Sequence, residues 1–366
     1  MSSKDVFKVV GFALIFLLGF EFLIHFFLYV ATPNSPKTTK VRTYLDYGRS
    51  IEMKLKTALG SGDDSMSDLS KAGWIQSECR KQISRSNNSK RLFSMYGMSF
   101  SSDIAKELVL MDPTFEVVPF AGPAAPPNHT YRCFKEQMQW ADSKNEDQSE
   151  IQVMGILASA VVGMLSTTGA TPGFESPAAF TYPRYRLIGG ALDEQSIPIN
   201  QPSDWRRALS DDNLRSALLQ KLAETDNFYE PLVFNQGASD FSVSLRLLKR
   251  AYGQREIRLL REQVMTDKGF IDRPDIGPVL KTLVSDFAEQ SRKRSKRPIV
   301  ILIHDQNSGD SLFRLLEPLM VKEKIEYLST HNIAHPGDPR NFIADGHFTK
   351  AANIKIASNL RSLILR

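Results

Sequence analysis

Arg91-Leu92-Phe93-Ser94-Met95-Tyr96-Gly97-Met98-Ser99-Phe100-Ser101 reads as a short apolar strand ending at a glycine, then a hydroxyl residue. The helical pattern Ser102-Asp103-Ile104-Ala105-Lys106-Glu107-Leu108 follows at once. A serine at such a strand-to-helix turn stands at the C-terminal edge of a sheet, with backbone N–H groups near enough to receive an oxyanion. Further apolar β runs are predicted at 116–120, 152–157, 299–303 and 326–329, and helices at 102–110, 311–324 and 350–365. Apolar strands separated by helices predict an α/β chain with a mainly parallel sheet covered on both faces.

Near the other end, Asp345-Gly346-His347-Phe348-Thr349 leads into an amphipathic helix that starts at Lys350. An acid and a histidine in a loop at a helix start can both reach the rim of a sheet. There the carboxylate can fix the imidazole tautomer and stabilise its protonated form, as a Ser-His-Asp hydrolase requires. Other histidines compete for the role: His304 at the end of a predicted strand, His331 and His335 in the loop before Asp345, and His129.

A Gly-x-Ser by the first strand and an Asp-x-His before the last helix together resemble the SGNH (GDSL-like) hydrolase family, over residues 90–366. The resemblance implies a flavodoxin-like three-layer sandwich, with Ser99 as nucleophile, His347 as base and Asp345 as the orienting acid. It also implies an oxyanion hole from the backbone N–H groups of Ser99 and Gly122; the family's asparagine has no match, and Asn128 is the candidate for an amide donor from a different direction. The chain departs from the family pattern in three places. Met98 stands where the family has Asp, the acid and histidine are two apart rather than three, and residues 152–157 run into Ala158-Ser159-Ala160 without the family's asparagine.

The implied activity is a serine esterase acting on acyl esters, chiefly acetyl, of cell-envelope or secreted polysaccharide. The same triad would serve a polysaccharide O-acetyltransferase. A non-catalytic glycan-binding or assembly component with this fold, and a membrane scaffold, are the alternatives from other classes. No cofactor is implied, and neither cysteine has metal-ligand spacing.

Residues 171–274 break the strand–helix rhythm and read as an insertion over the strands' C-terminal edge, with helices at 205–223 and 242–265. Tyr182, Arg184 and Tyr185 are its candidate substrate-binding residues, with Trp205 and Arg186 beside them, because aromatic rings and guanidinium groups can stack on sugars and bond their hydroxyls. The alternative is that these side chains pack the insertion onto the sheet.

Residues 7–30 are almost wholly apolar, long enough to cross a bilayer as a helix and longer than the core of a cleavable signal peptide. The segment 1–31 therefore reads as an uncleaved signal anchor in the membrane. The lysines and arginine on both flanks do not set its orientation, and the short N-terminal tail together with the family resemblance implies a C-terminal domain on the exported (periplasmic or extracellular) side. Residues 32–90 read as a spacer with one amphipathic helix at 43–59 and a serine-rich stretch at 61–67, ahead of a domain at 91–366. Within the span, Glu21 and His25 lie on one helix face, either to meet a membrane partner or to bond each other. The two cysteines, Cys79 and Cys133, would form one disulfide in an oxidising compartment or remain as two thiols. The net charge of +5 on 366 residues is spread along the chain. The run Arg292-Lys293-Arg294-Ser295-Lys296-Arg297 has no interleaved aromatics, so it reads as a solvated helix end and not as a nucleic-acid site.

Overall fold

The computed structural model describes residues 3–31, 36–60, 72–84, 90–144 and 147–366. Five core strands form one sheet: β1 (Arg91–Met98), β2 (Phe115–Gly122), β3 (Ile151–Leu157), β4 (Arg297–Ile303) and β5 (Glu326–Ser329). Their order is β2-β1-β3-β4-β5, and every neighbouring pair is parallel. All five are the strands predicted from the apolar runs. The central strands are buried along nearly their whole length, as a sheet covered on both faces requires. Pro119 sits in β2, at the edge of the sheet, where its missing N–H costs no ladder bond.

Alternate residues of β4 face different layers. Ile299, Ile301 and Ile303 pack with α2 (Ser99–Met111) and α7 (Lys350–Ile364). Val300 and Leu302 pack with α3 (Pro127–Lys144), α5 (Gly277–Lys293) and α6 (Ser311–Lys322). This period-2 division places helices on both faces of the sheet.

Two sequence expectations are corrected. Residues 36–60 and 72–84 are not a free spacer. Ile51, Leu55 and Leu59 line one face of the helix Ile51–Leu59 and join Trp74, Ile75, Cys79 and Ile83 in the main core. The helix expected at 43–59 is also two helices, Pro36–Asp46 and Ile51–Leu59, because Ser50 caps the second by accepting from the Met53 N–H at 3.2 Å. The serine-rich stretch at 61–67 lies outside the described residues.

The insertion holds two short hairpins, Arg184–Ile188 with Ala191–Gln195 and Met265–Thr266 with Gly269–Phe270, and several helices. The helix expected at 205–223 is split into Pro202–Ser210 and Asp212–Thr225. Asp211 interrupts it by accepting from the Asn213 and Leu214 N–H groups, both at 2.9 Å. The helix expected at 242–265 is α4 (Val243–Glu262), capped by Ser242.

Cys79 and Cys133 are joined in a disulfide, which ties the segment before β1 to α3. The N-terminal helix α1 (Ser3–His25) belongs to an apolar stretch, Asp5–Leu28, long enough to span a membrane or to be a signal sequence. Glu21, expected to meet a membrane partner or His25, caps α4. Its carboxylate accepts from the Ser242 hydroxyl at 3.0 Å and from the Val243 and Ser244 N–H groups at 2.8 and 2.7 Å.

Candidate active site

Ser99 is the first residue of α2, directly after β1. The first-turn N–H groups of a helix have no carbonyl within the helix, so they face whatever occupies the sheet edge. What holds this turn against the sheet is Ser101, fully buried between Gly97 of β1 and Gly155 of β3. A Cβ at either glycine would overlap the Ser101 Oγ. The glycine of Gly-x-Ser is thus required by close packing of the helix start, two residues from Ser99.

His347 arrives from the loop before α7. Its Nε2 lies 2.7 Å from the Ser99 Oγ, across 248 residues of sequence. Its Nδ1 lies 3.2 Å from Asp345 Oδ1, and the same oxygen accepts from the His347 backbone N–H at 3.0 Å. Gly346 makes the two-residue spacing workable. Its φ of +90° lies in the region that favours glycine, and it turns the chain so that the carboxylate faces the following imidazole. A carboxylate only accepts hydrogen bonds, so it selects the tautomer with the proton on Nδ1 and leaves Nε2 free to accept from Ser99. The His347 backbone N–H, followed by the imidazole, holds the Asp345 carboxyl below its ordinary range.

Phe100 stacks on the His347 ring with centroids 4.6 Å apart and meets Phe348 edge-on at 5.2 Å. This wall fixes the imidazole plane. Reading residue types alone missed it, although Phe100 directly follows Ser99 and Phe348 directly follows His347.

The other histidines have separate partners. The ring Nε2 of His129 faces the Gly73 carbonyl at 2.7 Å, that of His304 accepts from the Phe313 N–H at 3.3 Å, and Nδ1 of His331 pairs with Ser329 at 2.7 Å. His335 Nδ1 accepts from the Gly337 N–H at 3.1 Å. Burial pushes both His129 and His304 down to about 4, so they are neutral at pH 7.

The oxyanion side is sparser than the resemblance implies. Gly122 ends β2 beside Met98 of β1, one residue from Ser99, and a Cβ there would meet the His129 ring at 2.8 Å. Asn128 is not available as a donor toward the site: it is fully buried and its Nδ2 donates to the Pro183 carbonyl at 2.7 Å. At the end of β3, where the family's asparagine would stand, the Ser159 N–H donates to Asp305 Oδ1 at 3.2 Å. Ser99 opens α2 and Gly122 closes the neighbouring strand, paired in register with Met98.

The expected sugar-reading residues are corrected as well. Arg184 is buried, bonded to the Thr225 carbonyl and Asn227 and paired with Asp275 at 3.1 Å. Tyr185 is buried against Tyr131, with its hydroxyl on Glu194 at 3.3 Å. Trp205 is fully buried and donates to the Ala179 carbonyl at 2.7 Å. These side chains pack the insertion onto the domain. Tyr182 is also buried, with its hydroxyl on the Thr168 carbonyl at 3.0 Å, but its ring lines a cleft.

That cleft has a volume of about 550 Å³ and a mainly apolar lining. Its walls include Pro123 and Ala124 after β2, Leu157 to Ala160 at the end of β3, and Phe180, Tyr182, Val264 and Phe270 of the insertion. Ser99, Asp345 and His347 are not among the residues that line it. The loop behind the cleft is held by buried Asp226, which accepts from Ser166, Thr167 and Thr171. Among the described residues, no group of histidine, cysteine or carboxylate side chains is placed to hold a metal ion. Compared with known proteins, the chain matches no family model, no curated protein and no solved structure.

Proposed function

We propose that this chain is a membrane-anchored serine esterase of the SGNH type, with Ser99, His347 and Asp345 as its triad. The observation that carries the reading is the 2.7 Å approach of Ser99 Oγ to His347 Nε2, with Asp345 on the opposite ring nitrogen. The strand order, numbered 2-1-3-4-5 along the core sheet, is that of flavodoxin-like sandwiches and supports the same assignment. The Cys79–Cys133 disulfide supports a domain facing an oxidising compartment, beyond a span at Asp5–Leu28.

In the first half-reaction His347 Nε2 takes the Ser99 hydroxyl proton as Oγ attacks the ester carbonyl carbon. The oxyanion is received by the Ser99 and Gly122 N–H groups. Collapse breaks the bond to the alcohol oxygen, which leaves with the proton from His347, and an acyl-serine remains. Water then gives His347 a proton as it attacks the acyl carbon. The Ser99 oxygen regains that proton, and the carboxylic acid departs. An alcohol in place of water would give acyl transfer. A lost oxyanion donor costs about 10²–10³ in rate, so a site without the third donor is slow. Arg184 and Tyr185 are buried and present no open face to a sugar.

The test is fluorophosphonate labelling of the detergent-solubilised chain beside Ser99→Ala and His347→Ala. Labelling of the wild type alone is expected, followed by turnover of short- and medium-chain esters with and without an acetylated-glycan or free-glycan acceptor. Product that rises only with acceptor would reassign the reaction to acyl transfer. Three folded proteins with no labelling would overturn the esterase reading.

A further inference from the structure

The clamp between Glu21 and the start of α4 carries a consequence for how the domain sits. A carboxylate on an apolar helix is expensive in lipid unless hydrogen-bonded, and here three donors from residues 242–244 satisfy it. Glu21 is not at the end of the apolar stretch, which runs on to Leu28, about 10 Å further along a helix. Sixteen residues separate it from Asp5, about 24 Å of a hydrocarbon core about 30 Å thick. If the stretch crosses a bilayer, the start of α4 therefore lies below the level of the membrane surface.

The side chains at that level suit lipid. Phe241, Leu245 and Leu248 are 65, 44 and 66% exposed, and the last two share one face of α4. Phe22, Leu23, Phe26 and Phe27 of the apolar stretch are exposed as well. Val243 packs with Leu28 and Leu45, so the two surfaces are continuous. Two residues beyond Leu248, Arg250 lies over the rings of Tyr44 and Tyr47 at 4.1 and 5.2 Å. Tyrosine and arginine settle at headgroup level, just above such a patch.

We propose that the domain does not hang from a tether but is seated on the bilayer. Glu21 locks it to its own anchor, and Phe241, Leu245 and Leu248 enter the acyl–headgroup boundary. The occupant of this patch is the lipid surface itself. The cleft residues Val264 and Phe270 follow the far end of α4, a helix of 20 residues and so about 30 Å long. The inference rests on the membrane-spanning part of the proposed function and not on the esterase chemistry.

The experiment uses the full chain in phosphatidylcholine vesicles whose acyl chains carry bromine. An environment-sensitive dye is attached through Leu245→Cys, Phe16→Cys or Asp267→Cys in turn; Cys79 and Cys133 are bonded to each other and do not react. For insertion about 5–10 Å deep, roughly half the emission should be lost at residue 245. Loss is also expected at residue 16, with none at residue 267. Glu21→Ala should at least halve the quenching at 245. Quenching at 16 with none at 245 would place the patch in water and overturn the proposal. No quenching at 16 would remove the span and the proposal with it, while leaving the labelling of Ser99 to judge the esterase reading separately.

Discussion

Alanine at Gly97 or Gly155 should disturb the active site from beneath, and the two substitutions should be rescued differently. Ser101 Oγ occupies the notch between these glycines, so a Cβ at either position collides with it. At Gly97 the new Cβ would also stand 2.8 Å from Ser101 Cβ, whereas at Gly155 that separation is 3.3 Å. Ser101→Ala removes the oxygen and keeps the Cβ, so it should relieve Gly155→Ala. Gly97→Ala should need Ser101→Gly. Overpacking of this kind costs about 1–3 kcal/mol, and the coupling of Gly155→Ala with Ser101→Ala should return about 1–2 kcal/mol of it. The helix start that the collision displaces carries Ser99, and a misplacement of about 1 Å costs about 10²-fold in rate. Urea unfolding followed by tryptophan fluorescence reads the stability part, and the fluorophosphonate labelling rate reads the displacement. Additivity within about 0.5 kcal/mol, or equal rescue of both alanines by Ser101→Ala, would refute the reasoning.

Reducing the Cys79–Cys133 bond, which closes a separation of 54 residues, should lower stability by about 4 kcal/mol through chain entropy, read as a lower urea midpoint; an unchanged midpoint would contradict this. His129 gives a pH signature. Burial lowers its pKa from 6.5 to about 4, so between those values the unfolded chain binds a proton that the folded chain refuses. Its stabilisation is therefore complete above pH 6.5 and falls by up to about 3 kcal/mol as the pH approaches 4. His304 is buried in the same sense and adds to the slope. Melting temperatures at pH 7 and pH 5 should differ less in His129→Gln than in the wild type, and an equal drop in both would remove His129 from the account.

The three central strands were legible because each is a buried apolar run, and burial on both faces leaves that mark in one dimension; the two edge strands, Phe115–Gly122 and Glu326–Ser329, are largely half-buried and carry a weaker one. Ser99, Asp345 and His347 were legible as short local patterns at a strand end and a helix start, and the structure brings them together across 248 residues. The positive φ of Gly346, which makes the two-residue spacing workable, was seen only in the structure. The apolar stretch at Asp5–Leu28 was equally plain, because length and composition alone define it.

Tertiary structure decided what depends on partners far away in sequence. Asn128, Arg184 and Tyr185 have the residue types of a binding site, yet their polar atoms go to Pro183, to the Thr225, Asn227 and Asp275 group, and to Glu194. Residues 36–60 look polar enough for a spacer, but a stripe at 51, 55 and 59 buries only where a core exists to receive it. Glu21 read as a contact for a membrane partner or for His25, and only the folded chain brings the start of α4 to it. The sequence by itself determined the strands, the apolar N-terminal stretch and the residue types of the Ser99, His347 and Asp345 group, because periodicity and spacing are local properties. Which polar groups remain free for chemistry was decided by the folded chain, because a hydrogen bond is spent only when its partner is in place.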